Sequence, residues 1–149
     1  MALKSPEAFI DSLRDGRRIH MNGKWVEDVT TTPRLREAAR HSALTYQMGL
    51  DPELKQHVVS TCPETGEEIA AFYHLPQTTE DLLTRQNAIY QVSRYGGGYI
   101  PFVKEIGTDA IFALRMIAPQ VDRQFRTNYF ERIKAYHHYA QANDLAIAG

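Results

Sequence analysis

A chain of 149 residues with 17 Lys/Arg against 18 Asp/Glu, a net charge of −1, offers no basic face for nucleic acid or an anionic membrane. Hydrophobic content of 43% and charged content of 23% describe one ordinary globular domain, and a single cysteine, Cys62, excludes an internal disulfide framework and fits a reducing compartment. No apolar run approaches the ~20 residues of a membrane helix, and Met1 to Ile10 lacks a signal-peptide pattern, so the expected location is the cytoplasm.

Ser5-Pro6-Glu7-Ala8 reads as an N-cap, a proline at the first helical position and acidic support for the helix end. That helix runs through Phe9, Ile10 and Leu13 and stops at Asp15-Gly16. Asn22-Gly23, between Ile19-His20-Met21 and Lys24-Trp25-Val26, is a strong hairpin signal, because both residues tolerate the positive φ of a tight turn. Trp25 is expected to be buried against the helices, since a two-stranded ribbon needs a partner surface for an indole. After the loop Asp28 to Pro33, the residues Leu35, Ala38, Ala39, Ser42, Leu44, Tyr46 and Met48 suit a helix closed by Gly49. Asp51-Pro52-Glu53 starts a short helix ending near His57. Pro63-Glu64-Thr65-Gly66 is turn chemistry between Val58-Val59 and Ile69 to Tyr73, which predicts a second hairpin.

The chain is organised around Thr78 to Ala118. Thr78 as N-cap and Asp81 three residues on open a helix with Leu82, Leu83, Ile89, Tyr90 and Val92 on its apolar face. Gly96-Gly97-Gly98 ends it, and after Pro101 a second helix is expected from near Phe102, with Phe102, Ile106, Ala110, Ala113, Leu114 and Ile117 on one side. Pro119 is expected to break it. Val121, Phe125, Tyr129, Ile133, Tyr136 and Tyr139 then read as the buried stripe of a last helix, stopped by Asn143-Asp144. The fold class that follows is mainly α, a helical bundle domain carrying two small β-hairpins.

The residues alone offer little chemistry. His137 and His138 are adjacent, so on a helix they point about 100° apart and do not chelate one metal; no metal site is expected. Cys62 reads as an inert turn thiol and His74 as a half-exposed structural residue. The triple glycine has no strand before it and no Lys-Ser/Thr after it, so a helix cap or a close backbone approach is the better reading than a phosphate loop. Tyr95 and Tyr99 flank the break and are placed to face a cleft.

Leu13-Arg14-Asp15-Gly16-Arg17 followed by Met21-Asn22-Gly23-Lys24-Trp25-Val26-Glu27-Asp28-Val29-Thr30-Thr31-Thr32-Pro33 resembles the opening signature of the 4-hydroxyphenylacetate 3-hydroxylase family, which includes 4-hydroxybutyryl-CoA dehydratase. The resemblance continues through Thr79-Glu80-Asp81-Leu82, Gly107-Thr108-Asp109-Ala110, Thr127-Asn128-Tyr129 and Asn143-Asp144-Leu145. It implies an acyl-CoA-dehydrogenase-like fold of N-terminal helical domain, β-barrel and C-terminal four-helix bundle, usually a tetramer. Residues 1–149 match the first part alone, as a single N-terminal-type helical domain.

The resemblance also implies departures. The hydroxylases hold the phenol oxygen with an Arg, a Tyr four residues later and a His just beyond the last helix; in ungapped alignment those places are Phe102, Ile106 and Gly149, whose side chains donate no hydrogen bond. Two cysteines of the dehydratase's iron–sulfur cluster fall at Pro101 and Glu105. Glu105 is a weak candidate acid or base, an exposed helix-start glutamate being commoner.

The resemblance therefore implies the N-terminal part of a flavin-dependent monooxygenase using O2 and reduced FAD from a separate reductase. Tyr95, Tyr99 and Phe102 would line one wall of its substrate pocket. A complementary barrel and bundle, the flavin reductase and further copies of the chain are the expected partners. The chain alone is expected to be inactive and to bind FAD weakly or not at all, and its apolar ending, Leu145 to Gly149, to meet a second domain. The alternatives are a non-catalytic helical assembly or binding module, or part of a dehydratase-like enzyme without the cluster cysteines.

Overall fold

The computed structural model describes residues 3–99 and 103–147. In chain order the elements are α1 (Pro6–Ser12), β1 (Ile19–Met21), β2 (Lys24–Val26), α2 (Pro33–Leu50), α3 (Lys55–Val58), β3 (Val59–Thr61), β4 (Glu68–Ala70), a 3-10 turn (Ala71–Tyr73), α4 (Thr79–Tyr95), α5 (Glu105–Phe125) and α6 (Tyr129–Ala142). Among the described residues the two sheets are antiparallel hairpins, with Ile19 opposite Val26 in one and Val59 opposite Ala70 in the other.

Local chemistry sets most of these boundaries. Ser5 accepts the Ala8 amide at 3.1 Å and opens α1 ahead of Pro6. Asn22 and Gly23 take φ of 52° and 77°, as the two-residue turn of β1–β2 requires. Thr78 and Asp81 form a reciprocal capping box at α4: the Thr78 hydroxyl accepts the Asp81 amide at 3.1 Å, and the Asp81 carboxylate accepts the Thr78 amide at 2.9 Å.

Among the described residues three apolar clusters form the core. Met48, Val58, Phe72, Ala88 and Val92 join α2, α3 and α4. Cys62, Ile69, Ala70, Tyr73 and Ala140 seat the second hairpin on α6. Phe9, Ala43, Tyr46 and Val103 bind α1 to α2 and to the entry of α5, with Phe9 stacked on Tyr46 at 4.5 Å.

Which faces turn inward differs from the sequence expectation. On α4, Leu82, Leu83 and Tyr90 are exposed, while Val92 is buried as expected, together with Arg85 and Ala88. On α5, Ile106, Leu114 and Ile117 are about half exposed, and Glu105, Gly107, Thr108, Ile111, Phe112 and Ala118 are buried instead. The second helix starts at Glu105 rather than near Phe102, and residues 100–102 lie outside the described residues.

Pro119 does not break α5. It costs one internal hydrogen bond, yet the helix continues to Phe125 and ends where Arg126 takes a left-handed φ of 56°. The last helix therefore begins at Tyr129, where the Asp122 carboxylate accepts the Tyr129 amide at 2.8 Å and the Phe130 amide at 2.9 Å. Its expected stripe faces solvent: Phe125, Tyr129, Tyr136 and Tyr139 are exposed, and α6 buries His137 and Ala140.

Trp25 is likewise not buried. It is 61% exposed, its ring covered by the Arg18 guanidinium at 4.6 Å and edged by His20 at 5.0 Å. Within this domain the first hairpin makes its own shelter from one cation and one imidazole.

Candidate functional site

The break after α4 is built by glycine. The Gly98 amide donates to Ser93 O at 2.8 Å, and Gly97 and Gly98 take φ of 73° and 89°, closing the helix end. A side chain at Gly96 would meet Tyr99 O at 2.6 Å and His41 Cε1 at 3.0 Å. The close approach matters because His41 Nε2 reaches Tyr99 O at 3.2 Å and its ring meets the Tyr99 ring edge-on at 5.5 Å. Tyr99 is 71% exposed and Tyr95 is exposed at the end of α4. Tyr95 and Tyr99 are thus both exposed, at and just past the end of α4, while Phe102 and Gly149 lie outside the described residues.

Glu105 is buried, contrary to the expectation of a surface helix-start glutamate. Its Oε2 accepts the Lys104 amide at 3.0 Å, and its Oε1 is buried without a hydrogen-bond partner. Ile106, one residue on, faces outward.

At the start of α5 lies a polar centre that sequence reasoning missed. Buried Lys104 donates from Nζ to Asp144 Oδ1 and sits 4.0 Å from the Tyr46 ring centre. Asp144 Oδ2 also accepts the Lys4 amide at 3.1 Å. The Tyr46 hydroxyl donates to Asp144 O at 3.2 Å, the Tyr73 hydroxyl donates to Leu145 O at 2.6 Å, and the Ile147 amide donates to Val103 O at 2.7 Å. Residues 103–105 and 144–147 are strapped together in this way.

Burial lowers the Lys104 ammonium pKa, opposed by Asp144. Burial first, then the Asp144 charge, pushes both tyrosine hydroxyls far above the usual phenol range. Tyr46 and Tyr73 therefore act as hydrogen-bond donors, not bases. Arg85 fixes the start of α5 from the other side. It donates to Phe72 O at 3.0 Å, Glu105 O at 2.9 Å, Thr108 Oγ1 at 2.9 Å and Asp109 Oδ1 at 2.7 Å.

The remaining candidates separate. His137 Nε2 lies 2.9 Å from Tyr73 O and Nδ1 lies 2.8 Å from Arg115 Nη1, while His138 pairs with Glu64 at 3.0 Å. No group of three His, Cys, Asp or Glu comes together as a metal cage among the described residues. His74 Nε2 lies 3.3 Å from Asp81. Burial acts to raise the Cys62 thiol, but hydrogen bonds from Thr65, the Glu64 amide and Gln141 together hold it below its ordinary range.

Among the described residues this architecture sets two hairpins among six helices, a fold shared with solved structures. It superposes with a TM-score of 0.85 on an oxygen-tolerant archaeal 4-hydroxybutyryl-CoA dehydratase from N. maritimus, at 23% identity over 97% of this chain and 28% of that one. It superposes with a TM-score of 0.81 on the FAD-complexed oxygenase component of 4-hydroxyphenylacetate 3-monooxygenase, at 22% identity over 96% of this chain and 29% of that one.

Residues 5–149 match the family model described as 4-hydroxyphenylacetate 3-hydroxylase N terminal, and the chain belongs to that family. It is 28% identical over 148 residues to the 4-hydroxybutyryl-CoA dehydratase/vinylacetyl-CoA-Delta-isomerase of Clostridium aminobutyricum, covering 99% of this chain and 30% of the relative. It is 34% identical over 95 residues to the 4-hydroxyphenylacetate 3-monooxygenase oxygenase component of Klebsiella oxytoca, covering 63% of this chain and 18% of the relative. The chain thus spans less than a third of the length of these relatives. Among the described residues no helix is long and apolar enough to cross a membrane.

Proposed function

We propose that the chain is the N-terminal domain of a flavin-dependent monooxygenase, contributing Tyr95, Tyr99 and Phe102 to one wall of the substrate pocket. The observation that carries this reading is the family match over residues 5–149. The β-barrel and four-helix bundle come from outside these residues, and reduced FAD is delivered by a separate reductase. The location is the cytoplasm.

In this reading FAD binding belongs to the complete unit, and the glycine break is not a phosphate cradle. The triple glycine closes the C-terminal end of α4, where carbonyl groups and the negative end of the helix dipole disfavour a phosphate. The outward faces of α5 and α6 fit a covering domain. Ile106, Leu114, Met116, Ile117 and Tyr136 are exposed there, and a hollow of about 350 Å³ between Ala110, Leu114, Ile133 and Tyr136 is almost wholly apolar.

A second reading, a dehydratase-like enzyme acting on a CoA ester, is favoured by the dehydratase match over 99% of this chain. It has to work without cysteines at Pro101 and Glu105.

The test is reconstitution. The chain is purified with and without the remaining domains, and bound flavin and NADH-dependent oxygen consumption with a reductase are measured against a panel of phenols. Flavin and substrate-dependent oxygen uptake are expected in the complete unit and not in the chain alone. A Tyr99→Ala variant of that unit should lose activity while the melting temperature of the domain stays nearly unchanged. A unit that binds no flavin, paired with a Tyr99→Ala variant that only loses stability, would favour a non-catalytic helical module.

A further inference from the structure

A second cavity, about 230 Å³, lies away from Tyr95 and Tyr99, between the β3–β4 turn, the exit of the 3-10 turn, the middle of α5 and the face of α6. Its polar side is formed by Arg115, His74, His137 and Gln141, and much of the rest by Pro63, Ile69, Tyr73 and Leu75.

Arg115 is the unusual member. Tyr73 O can only accept, so His137 Nε2 carries the ring proton and Nδ1 accepts from Arg115 Nη1. The guanidinium thus rests on a neutral acceptor. Among the described residues it has no carboxylate within ion-pair distance, and its Nε is buried without a hydrogen-bond partner. Arg85, by comparison, has a carboxylate and three further acceptors.

The carboxylate that lines the cavity, Glu64, is engaged by His138. His74 is oriented by Asp81 through Nε2, and its Nδ1 is buried and unpartnered. A half-buried guanidinium held by a neutral imidazole, the His74 ring and apolar walls line one space, with Glu64 paired to His138.

We propose that this cavity binds a small organic carboxylate, its charge on the Arg115 guanidinium and its body against Ile69, Tyr73 and Leu75. An apolar cavity of about 150 Å³ takes a benzene ring, so this space suits a monocyclic or short branched acid. A guanidinium prefers a planar anion that accepts two parallel N–H bonds, which a carboxylate supplies and an amide does not. The site does not depend on the monooxygenase reading and is testable without flavin.

The experiment titrates the ¹⁵N-labelled 149-residue chain at pH 7.5 and constant ionic strength with sodium benzoate, benzamide or inorganic phosphate, following the His74 and His137 ring signals. Benzoate is expected to shift both signals saturably, with benzamide and phosphate leaving them in place. Arg115→Gln should weaken benzoate binding roughly tenfold or more, as expected for loss of a hydrogen-bonded charge. Unmoved histidine signals in the wild-type protein would overturn the proposal whether or not the variant folds. Equal shifts from benzamide would overturn the role of charge, and equal shifts from phosphate the role of the apolar walls.

Discussion

The side of α5 that faces the domain carries Glu105, Thr108, Ile111 and Phe112, while the side that faces away carries Ile106, Leu114, Met116 and Ile117. Glu105 and Thr108 are turned inward at the helix start, held by the Lys104 amide and Arg85 beside the apolar Ile111 and Phe112, and several aliphatic groups are left outside. A soluble helix normally keeps such polar groups out and such aliphatic groups in. The inner side is a polar anchor that ties the start of α5 to Arg85 and to residues 144–147; the outer side is an apolar surface suited to another layer of protein. The comparison gives different expected costs for substitutions on the two sides.

The largest cost is expected at the anchor. Lys104→Met leaves the Asp144 carboxylate buried without its ammonium partner, and removal of one member of such a pair costs about 3–5 kcal/mol. Adding Asp144→Asn removes the stranded charge, and asparagine tolerates the left-handed φ of 44° found there. The double variant should therefore recover part of the loss, with a coupling of about 1 kcal/mol or more in a urea-melt double-mutant cycle. Strict additivity would show that Lys104 and Asp144 do not act as a unit.

An intermediate effect is expected at His137, on the inward face of α6. Burial first, with help from the Arg115 charge and against the Tyr73 carbonyl, lowers its pKa below the ordinary value of about 6.5. The unfolded chain then takes up a proton in a pH range where the folded one does not. The stability this site contributes is complete above about pH 6.5 and is lost as pH falls through the lowered folded value. Urea midpoints measured from pH 8 to pH 5 should drop on the acid side, and His137→Gln should flatten that part of the curve. An unchanged acid slope in the variant would assign the pH dependence to other groups.

Much of the architecture was legible because it depends on short-range chemistry. The Ser5-Pro6 start, the Asn22-Gly23 turn, the Thr78–Asp81 box and the glycine stop each act within a few residues. Facing was legible only in part: Val92, on the expected apolar face of α4, is in the core, but Leu82, Leu83 and Tyr90 are not. The apolar stripes of Leu82, Leu83 and Tyr90, or of Ile106, Leu114 and Ile117, are real, but periodicity reports where apolar groups lie around a helix and not which neighbour covers them. The Lys104–Asp144 pair was hidden for another reason: its members are 40 residues apart, and Asn143-Asp144 looked like an ordinary helix stop. Trp25 shows the same limit, since an indole that calls for a partner surface found Arg18 and His20 on its own ribbon.

The smallest stability effect, and the sharpest test of the comparison, is expected on the outer side of α5. Ile117 is 49% exposed, so Ile117→Glu removes only about half of one side chain's burial, and glutamate keeps a good helix propensity. The urea midpoint of the 149-residue chain should move by about 1 kcal/mol equivalent, well below the cost of Lys104→Met. The same substitution would place a charge within the apolar surface that the proposed barrel and bundle cover, where an unpaired buried charge is costly. Capture of the separately expressed remaining domains should therefore fall steeply while the isolated chain stays folded. If Ile117→Glu instead destabilises the isolated chain as much as Lys104→Met does, the outer side is part of this domain's own core and the two-sided description of α5 fails. If the chain stays stable and capture is also unchanged, the covering layer sits elsewhere, and the exposed tyrosines of α6, Tyr136 and Tyr139, become the next surface to substitute.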